Sequence, residues 1–248
     1  MLKVAIQNGY NEVIFQNKLN SEKQKESVCG PIFNPIREKY SKFRGYIEDA
    51  NLGLGCGFPF EFIAYDDDDK IVDLGCAAGI DCFIMANRIS NKGTVTGIDL
   101  TESLIIKANS IANKYLIKNI EFICGDIEKL SFENETIDTI TSNGVFSLLP
   151  NLMHTFEEVF RILKNNGQFC FSDINKKGKF GPELYPQIKE FTGCLNGIRY
   201  QKLYMDYLLK AGFSSIEIVN ERPVILPKEL RSADQENILF ITTFKIKK

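Results

Sequence analysis

This sequence predicts an α/β fold, a doubly wound and mostly parallel sheet covered by helices on both faces. Three observations carry that expectation. From Lys70 onward, short apolar runs alternate with stretches whose apolar residues recur at helical spacing. The first of those runs passes directly into a Gly/Ala-rich turn, "DLGCAAG", that opens a helical stretch. Two alternating runs come last, and the segment between them is too irregular to read as a crossover helix, so one strand should lie antiparallel. Strands that alternate with helices require right-handed crossovers and a sheet buried on both sides.

The elements follow in order. Residues 1–50 are polar, rich in Asn, Lys and Glu, with room for short helices at "NEVIFQNKL" and "IREKYSKF". They are expected to form an N-terminal helical segment that could act as a lid, ahead of a single domain over 51–248. "ANLGLGCGFPFEF" crowds three glycines together, as a loop does when it turns sharply or approaches something closely. "DDDDK" reads as a solvated turn, without the spaced ligands of a calcium loop. "KIVDL" is a buried strand and "GIDCFIMANRI" a helix. "TVTGIDL" is the second strand, followed by the helix "TESLIIKANSIANKYL", with Thr101 as N-cap and Glu102 in its first turn. "IEFICGD", "TIDTITSNGVF" and "GQFCFSDI" are three more strands, with the helix "TFEEVFRILK" before the last of them. "RYQKLYMDYLLKAGF" is a helix ended by Gly212. "SSIEIVNE" and "NILFITTFKIK" supply the last two strands.

Composition narrows the function. The chain has 248 residues, 44% of them hydrophobic and 25% charged, with a net charge of -2. That balance argues against nucleic acid as a partner, because phosphate binding leans on clustered Lys and Arg. No apolar run approaches the roughly 20 residues of a membrane helix. The N-terminus is broken by polar residues too early for a signal peptide, so no membrane partner and a cytoplasmic location are expected. Seven cysteines, an odd number, are expected to be reduced. Cys82, Cys124 and Cys170 read as small buried hydrophobes. His154 reads as a surface residue, and no CxxC or HxxxH pair suggests a metal site.

The turn after the first strand points to a ligand. In a doubly wound sheet, ligands sit beyond the C-terminal strand ends. Ala77 stands where a dinucleotide fingerprint has its second glycine, and its methyl group makes close phosphate approach less comfortable. No P-loop Lys-Ser/Thr pair follows. Instead the first three strands end in or near acids: Asp73, Asp99 and Asp126. Asp99 can accept both hydroxyls of a ribose, and Asp73 could accept from a cationic amine. The implied ligand is a nucleoside that carries positive charge and no phosphate.

Here "VDLGCAAG", "TGIDLT", "CGDIEKL" and "EVFRILKNNGQFCFSDI" resemble the successive motifs of class I S-adenosylmethionine-dependent methyltransferases. The resemblance covers roughly residues 50–220 and implies a Rossmann-like, seven-stranded sheet with a final antiparallel strand. It implies that Asp73, Gly75, Cys76, Ala77 and Gly79 line the methionine moiety of S-adenosylmethionine. Asp99 would hold the ribose, with Leu100 near the adenine, which Asp126 and Ile127 would read. Asn143 would lie near the donor methionine and the acceptor.

Within that superfamily, "ANLGLGCGFP", "DLGCAAGIDCF", "TGIDLT" and "FTGCLNGIRYQKLYMDYLLKAGF" look like the arsenite methyltransferases. The likeness implies a small-molecule acceptor, a trivalent arsenical or similar soft species. Its thiol ligands would be Cys56 and Cys194, with Cys29 a further N-terminal candidate. Thiolates are the soft side chains that suit trivalent arsenic. One position departs: where that family usually reads Ser-Asn-Cys-Val, this chain reads "SNGV", and Gly144 stands in place of a cysteine.

Overall fold

The structure, a computed structural model, describes residues 3–4, 7–11, 36, 38–178, 197–224 and 238–248. Cys29, Cys194 and most of "NEVIFQNKL" lie outside those residues.

The alternation from Lys70 becomes β1 (Lys70–Leu74), α1 (Ile80–Ala86), β2 (Thr94–Asp99), α2 (Glu102–Lys114), β3 (Ile120–Cys124) and β4 (Ile137–Asn143). α3 (Leu152–Ile162), β5 (Leu163–Lys176), β6 (Arg199–Tyr200), α4 (Gln201–Ala211), β7 (Ser215–Pro223) and β8 (Leu239–Lys247) follow. Seven strands form one sheet in the order β3-β2-β1-β4-β5-β8-β7. β1 to β5 pair in parallel, and β8 runs antiparallel between β5 and β7. The Rossmann-like expectation therefore holds. The addition is β6, two residues that pair with Asn175 and Lys176, too short to leave a periodic signal.

Local chemistry explains the element ends. The Asn151 side chain accepts from His154 N and starts α3. Gly212, in the left-handed region at φ +112°, stops α4. Thr101 holds the cap position of α2 but makes no side-chain capping bond. Helix α3 ends at Ile162, two residues before the sequence pattern does, because Leu163 already pairs with Ile137.

The period-two alternation of β1 divides the core. Val72 and Leu74 face one side, with Phe146, Phe156, Phe171, Tyr204 and Phe244. Ile71 faces the other, with Phe83, Met85, Val95 and Phe122. Tyr40, Ile47 and Ala50 are buried in this second layer. Within "IREKYSKF", where a short helix was expected, Glu38–Lys42 form a 3-10 helix. Tyr40 from that turn packs edge-on against Phe58, ring centroids 4.9 Å apart. Cys82 and Cys170 are buried as expected, but Cys124 is exposed. β3 is an edge strand, and among the described residues its last two, Ile123 and Cys124, are exposed. His154 is half exposed and lies 3.3 Å from Glu157, as a surface residue would. No helix among the described residues is long and apolar enough to cross a membrane.

Candidate active site

A cavity of about 730 Å³, counted with its open mouth, lies at the C-terminal ends of β1 to β4. Gly75, Ala77, Asp99, Leu100, Asp126, Ile127 and Asn143 line it. Asp73, Cys76, Gly79 and the candidate thiol Cys56 lie outside its wall. The sequence reading missed Lys3, Tyr10, Leu54, Val145 and Leu148, which also line it. The apolar wall residues carry no chemical signature, and Lys3 arrives through an ion pair with Asp126, 123 residues away.

The turn is held by its backbone. The N–H groups of Gly75 and Cys76 both donate to the Ile98 carbonyl, at 2.7 and 3.0 Å. That bond ties the turn to the end of β2. Gly75 has φ +76°, and a Cβ there would come within 2.3 Å of Val145 Cγ2. Ala77 also lies in the left-handed region, at φ +49°, although it is not glycine. Its N–H donates to Asp99 Oδ2 at 2.9 Å, while Asp99 Oδ1 accepts from Thr101 N at 2.8 Å. With the Thr101 side chain as a third donor, the four-site carboxylate of Asp99 still has acceptor capacity toward the cavity it lines. Burial raises the Asp99 pKa, against the two backbone bonds that lower it.

Asp126 accepts from Glu128 N at 3.1 Å through Oδ1 and meets Lys3 through Oδ2. Asp73 is buried on the α1 face of β1, where Thr141 Oγ1 donates to it at 2.8 Å and Cys82 Sγ at 3.3 Å. It sits beneath the turn. Cys76 is buried and its thiol pKa is pushed up to about 11, chiefly by burial, which is the state of an inert thiol.

At the other end of the cavity, Asn143 joins β4 to the glycine-rich loop. Its Oδ1 accepts from Cys56 N at 2.9 Å and Gly57 N at 3.0 Å. The Cys56 thiol is buried and donates to the Ser172 carbonyl at 3.4 Å. Gly144, at φ +77°, is its neighbour: a Cβ built there would lie 3.6 Å from Cys56 Sγ and 3.5 Å from the Leu54 carbonyl. Two positions that the sequence singled out for thiol chemistry, 56 and 144, are therefore neighbours: Gly144 lines the cavity and Cys56 is buried behind it.

Asp81, in the first turn of α1, was not singled out. It is buried, and Asn143 Nδ2 donates to its Oδ2 at 2.9 Å. Burial first, then the Asp73 charge, push its pKa up to about 7, against hydrogen bonds from Asn143 and Tyr40. A raised carboxylate pKa favours the fold below the unfolded value of 3.8, and that advantage is lost as pH climbs through 7. Asp81→Asn should therefore raise unfolding free energy by about 2–4 kcal/mol at pH 8 and by little at pH 4. Urea denaturation at both pH values checks this; an equal effect at the two would refute it.

Fold and cavity together place an acid-lined cleft at the C-terminal strand ends of a Rossmann-like sheet. Residues 65–212 match the family described as "Methyltransferase domain". The chain belongs to the methyltransferase domain family. It is 33% identical over 171 residues to the arsenite methyltransferase of Halobacterium salinarum, covering 69% of this chain and 44% of that protein. It is 31% identical over 234 residues to the arsenite methyltransferase of Homo sapiens, covering 89% and 60%. The chain thus spans about half the length of these curated relatives. The fold is similar to that of an arsenic (III) S-adenosylmethionine methyltransferase from Chlamydomonas reinhardtii. The TM-score is 0.71 at 24% identity, covering 89% of this chain and 73% of the other.

Proposed function

We propose that this chain binds S-adenosylmethionine and methylates a thiol-bound trivalent arsenical. One observation carries the reading: a single cavity runs from the acids Asp99 and Asp126 to Gly144, and the buried Cys56 thiol lies directly behind that glycine. The donor, when bound, supplies an electrophilic methyl group on a sulfonium. The residues fit it. Asp99 has lone pairs for the ribose hydroxyls, Asp126 and Ile127 flank the adenine end, and the Gly75–Ala77 turn presents backbone to the methionine end. Asp73 lies buried beneath that turn, an acidic setting that suits a cationic ligand and opposes a phosphate.

On the acceptor side, Cys56 is the thiol that the described residues place next to Gly144, behind the cavity wall. Cys194 and Cys29 are the further ligands that the sequence suggests. Arsenic's own lone pair is the nucleophile, so the chain must position it and exclude water, and no general base is needed. Cysteines that bind arsenic must stay reduced, which favours the cytoplasm.

The test is an assay of the reduced protein with S-adenosylmethionine and arsenite that follows both S-adenosylhomocysteine and methylated arsenic. Equal amounts of the two are expected. Donor binding without methylated arsenic would overturn the acceptor. Gly144 favours the alternative in that case, a small-molecule C-, N- or S-methyltransferase or a donor-binding sensor. No donor binding would overturn the whole reading.

A further inference from the structure

We propose that Asp81 is a positioning residue for the Cys56 thiol, acting through the Asn143 carboxamide with Tyr40 as its partner; this rests on Cys56 as an acceptor ligand. Four chain segments meet at that carboxamide. Its oxygen takes both N–H groups of the Cys56–Gly57 turn. Its nitrogen faces Asp81 Oδ2 at 2.9 Å, the Gly57 carbonyl at 2.9 Å and the Tyr40 hydroxyl at 3.0 Å. The surroundings allow only this orientation. Flipped, the amide NH2 would oppose two N–H donors and its oxygen would oppose a carboxylate.

The turn so held has no slack. A Cβ on Gly57 would fall 2.3 Å from Ser172 Oγ, so the backbone is pressed onto β5. Arg222 Nη2 donates to the Cys56 carbonyl at 3.0 Å and fixes the far side of the same peptide. The thiol is thereby aimed at the Ser172 carbonyl beside Gly144.

Asp81 itself is poorly accounted for by stability. Its Oδ1 is buried with no hydrogen-bond partner among the described residues, which is unfavourable for a carboxyl group. Asp73 adds like charge nearby. What the side chain does is accept from Asn143 and hold the amide plane. Without it, the carboxamide can swing away from the Cys56 and Gly57 N–H groups.

Hydrogen–deuterium exchange across residues 54–58 tests this without donor or arsenic. Asp81→Ala should speed exchange at the Cys56 and Gly57 amides about tenfold, the loss of roughly one hydrogen bond. Asp81→Asn should exchange like the parent, because its carbonyl still accepts from Asn143. Tyr40→Phe, which removes only the hydroxyl, should loosen the same amides and serves if Asp81→Ala does not fold. Parent-like exchange in Asp81→Ala, or in Tyr40→Phe where Asp81→Ala cannot be made, overturns the proposal. So does Asp81→Asn exchanging as fast as Asp81→Ala. In the methyl-transfer assay, Asp81→Ala should raise the arsenite KM about tenfold and leave donor KM within about twofold. Loosened amides with an unchanged arsenite KM would keep the clamp and sink Cys56 as the acceptor's ligand.

Discussion

Asp99→Ala should weaken binding of S-adenosylmethionine by about 10²- to 10³-fold, read by isothermal titration calorimetry. The side chain has two tasks. Its outward lone pairs are the ones available to ribose hydroxyls, and its inward ones hold Ala77 N and Thr101 N. Hydrogen bonds to a charged group contribute about 1.5–3 kcal/mol each. Losing the ligand bonds and unpinning the turn together reach the stated range. Ala77 makes the second task matter. A non-glycine residue at φ +49° needs a partner to stay there, and Asp99 Oδ2 is that partner. A dissociation constant within about threefold of the parent would show that the ribose is held elsewhere.

Cys56→Ser should lower arsenic methylation at least about a hundredfold while donor affinity stays within about twofold. Serine is nearly isosteric, and its hydroxyl can keep the bond to the Ser172 carbonyl, so the loop should keep its shape. Oxygen is a hard ligand and binds trivalent arsenic far less well than a thiolate. Parallel measurement of S-adenosylhomocysteine formation and donor binding separates the two effects. Full arsenic methylation by Cys56→Ser would move the acceptor site away from this thiol.

The sheet was legible because its signals are local. "KIVDL" is a continuous apolar run, the residues of α2 and α3 repeat at helical spacing, and Gly212 marks a helix end. The acid-lined end of the cavity was legible for the same reason: Asp99 and Asp126 stand at or just beyond strand ends that periodicity alone could locate. The acceptor end was less so. Asn143 and Cys56 are 87 residues apart, and no pattern in either stretch says that one amide oxygen will take two N–H groups from the other. Asp81 hides inside an apolar helix face, where a lone acid reads as a first-turn residue. Lys3 and Tyr40 belong to a stretch whose polar composition gave no sign of packing, yet Tyr40 is buried among Phe43, Phe58 and Phe60. Cys124 was misjudged because whether a strand is central or at an edge depends on sheet order, which the alternation of apolar residues does not encode.

The position of β8 bears on how the protein is made. It lies between β5 and β7, and among the described residues β7 joins the sheet through it alone. Synthesis runs from β1 to β8, so β7 leaves the ribosome with neither edge paired, and β5 waits with one edge open. At roughly 5–20 residues per second, that exposure lasts seconds. The antiparallel strand then closes both gaps at once. Leu239–Lys247 therefore act as a late fastener on a sheet whose acid-lined cleft, built on β1 to β4, has already been translated. A chain that stops before Leu239 should carry a nearly formed cleft alongside two strands, β5 and β7, with edges open to aggregation.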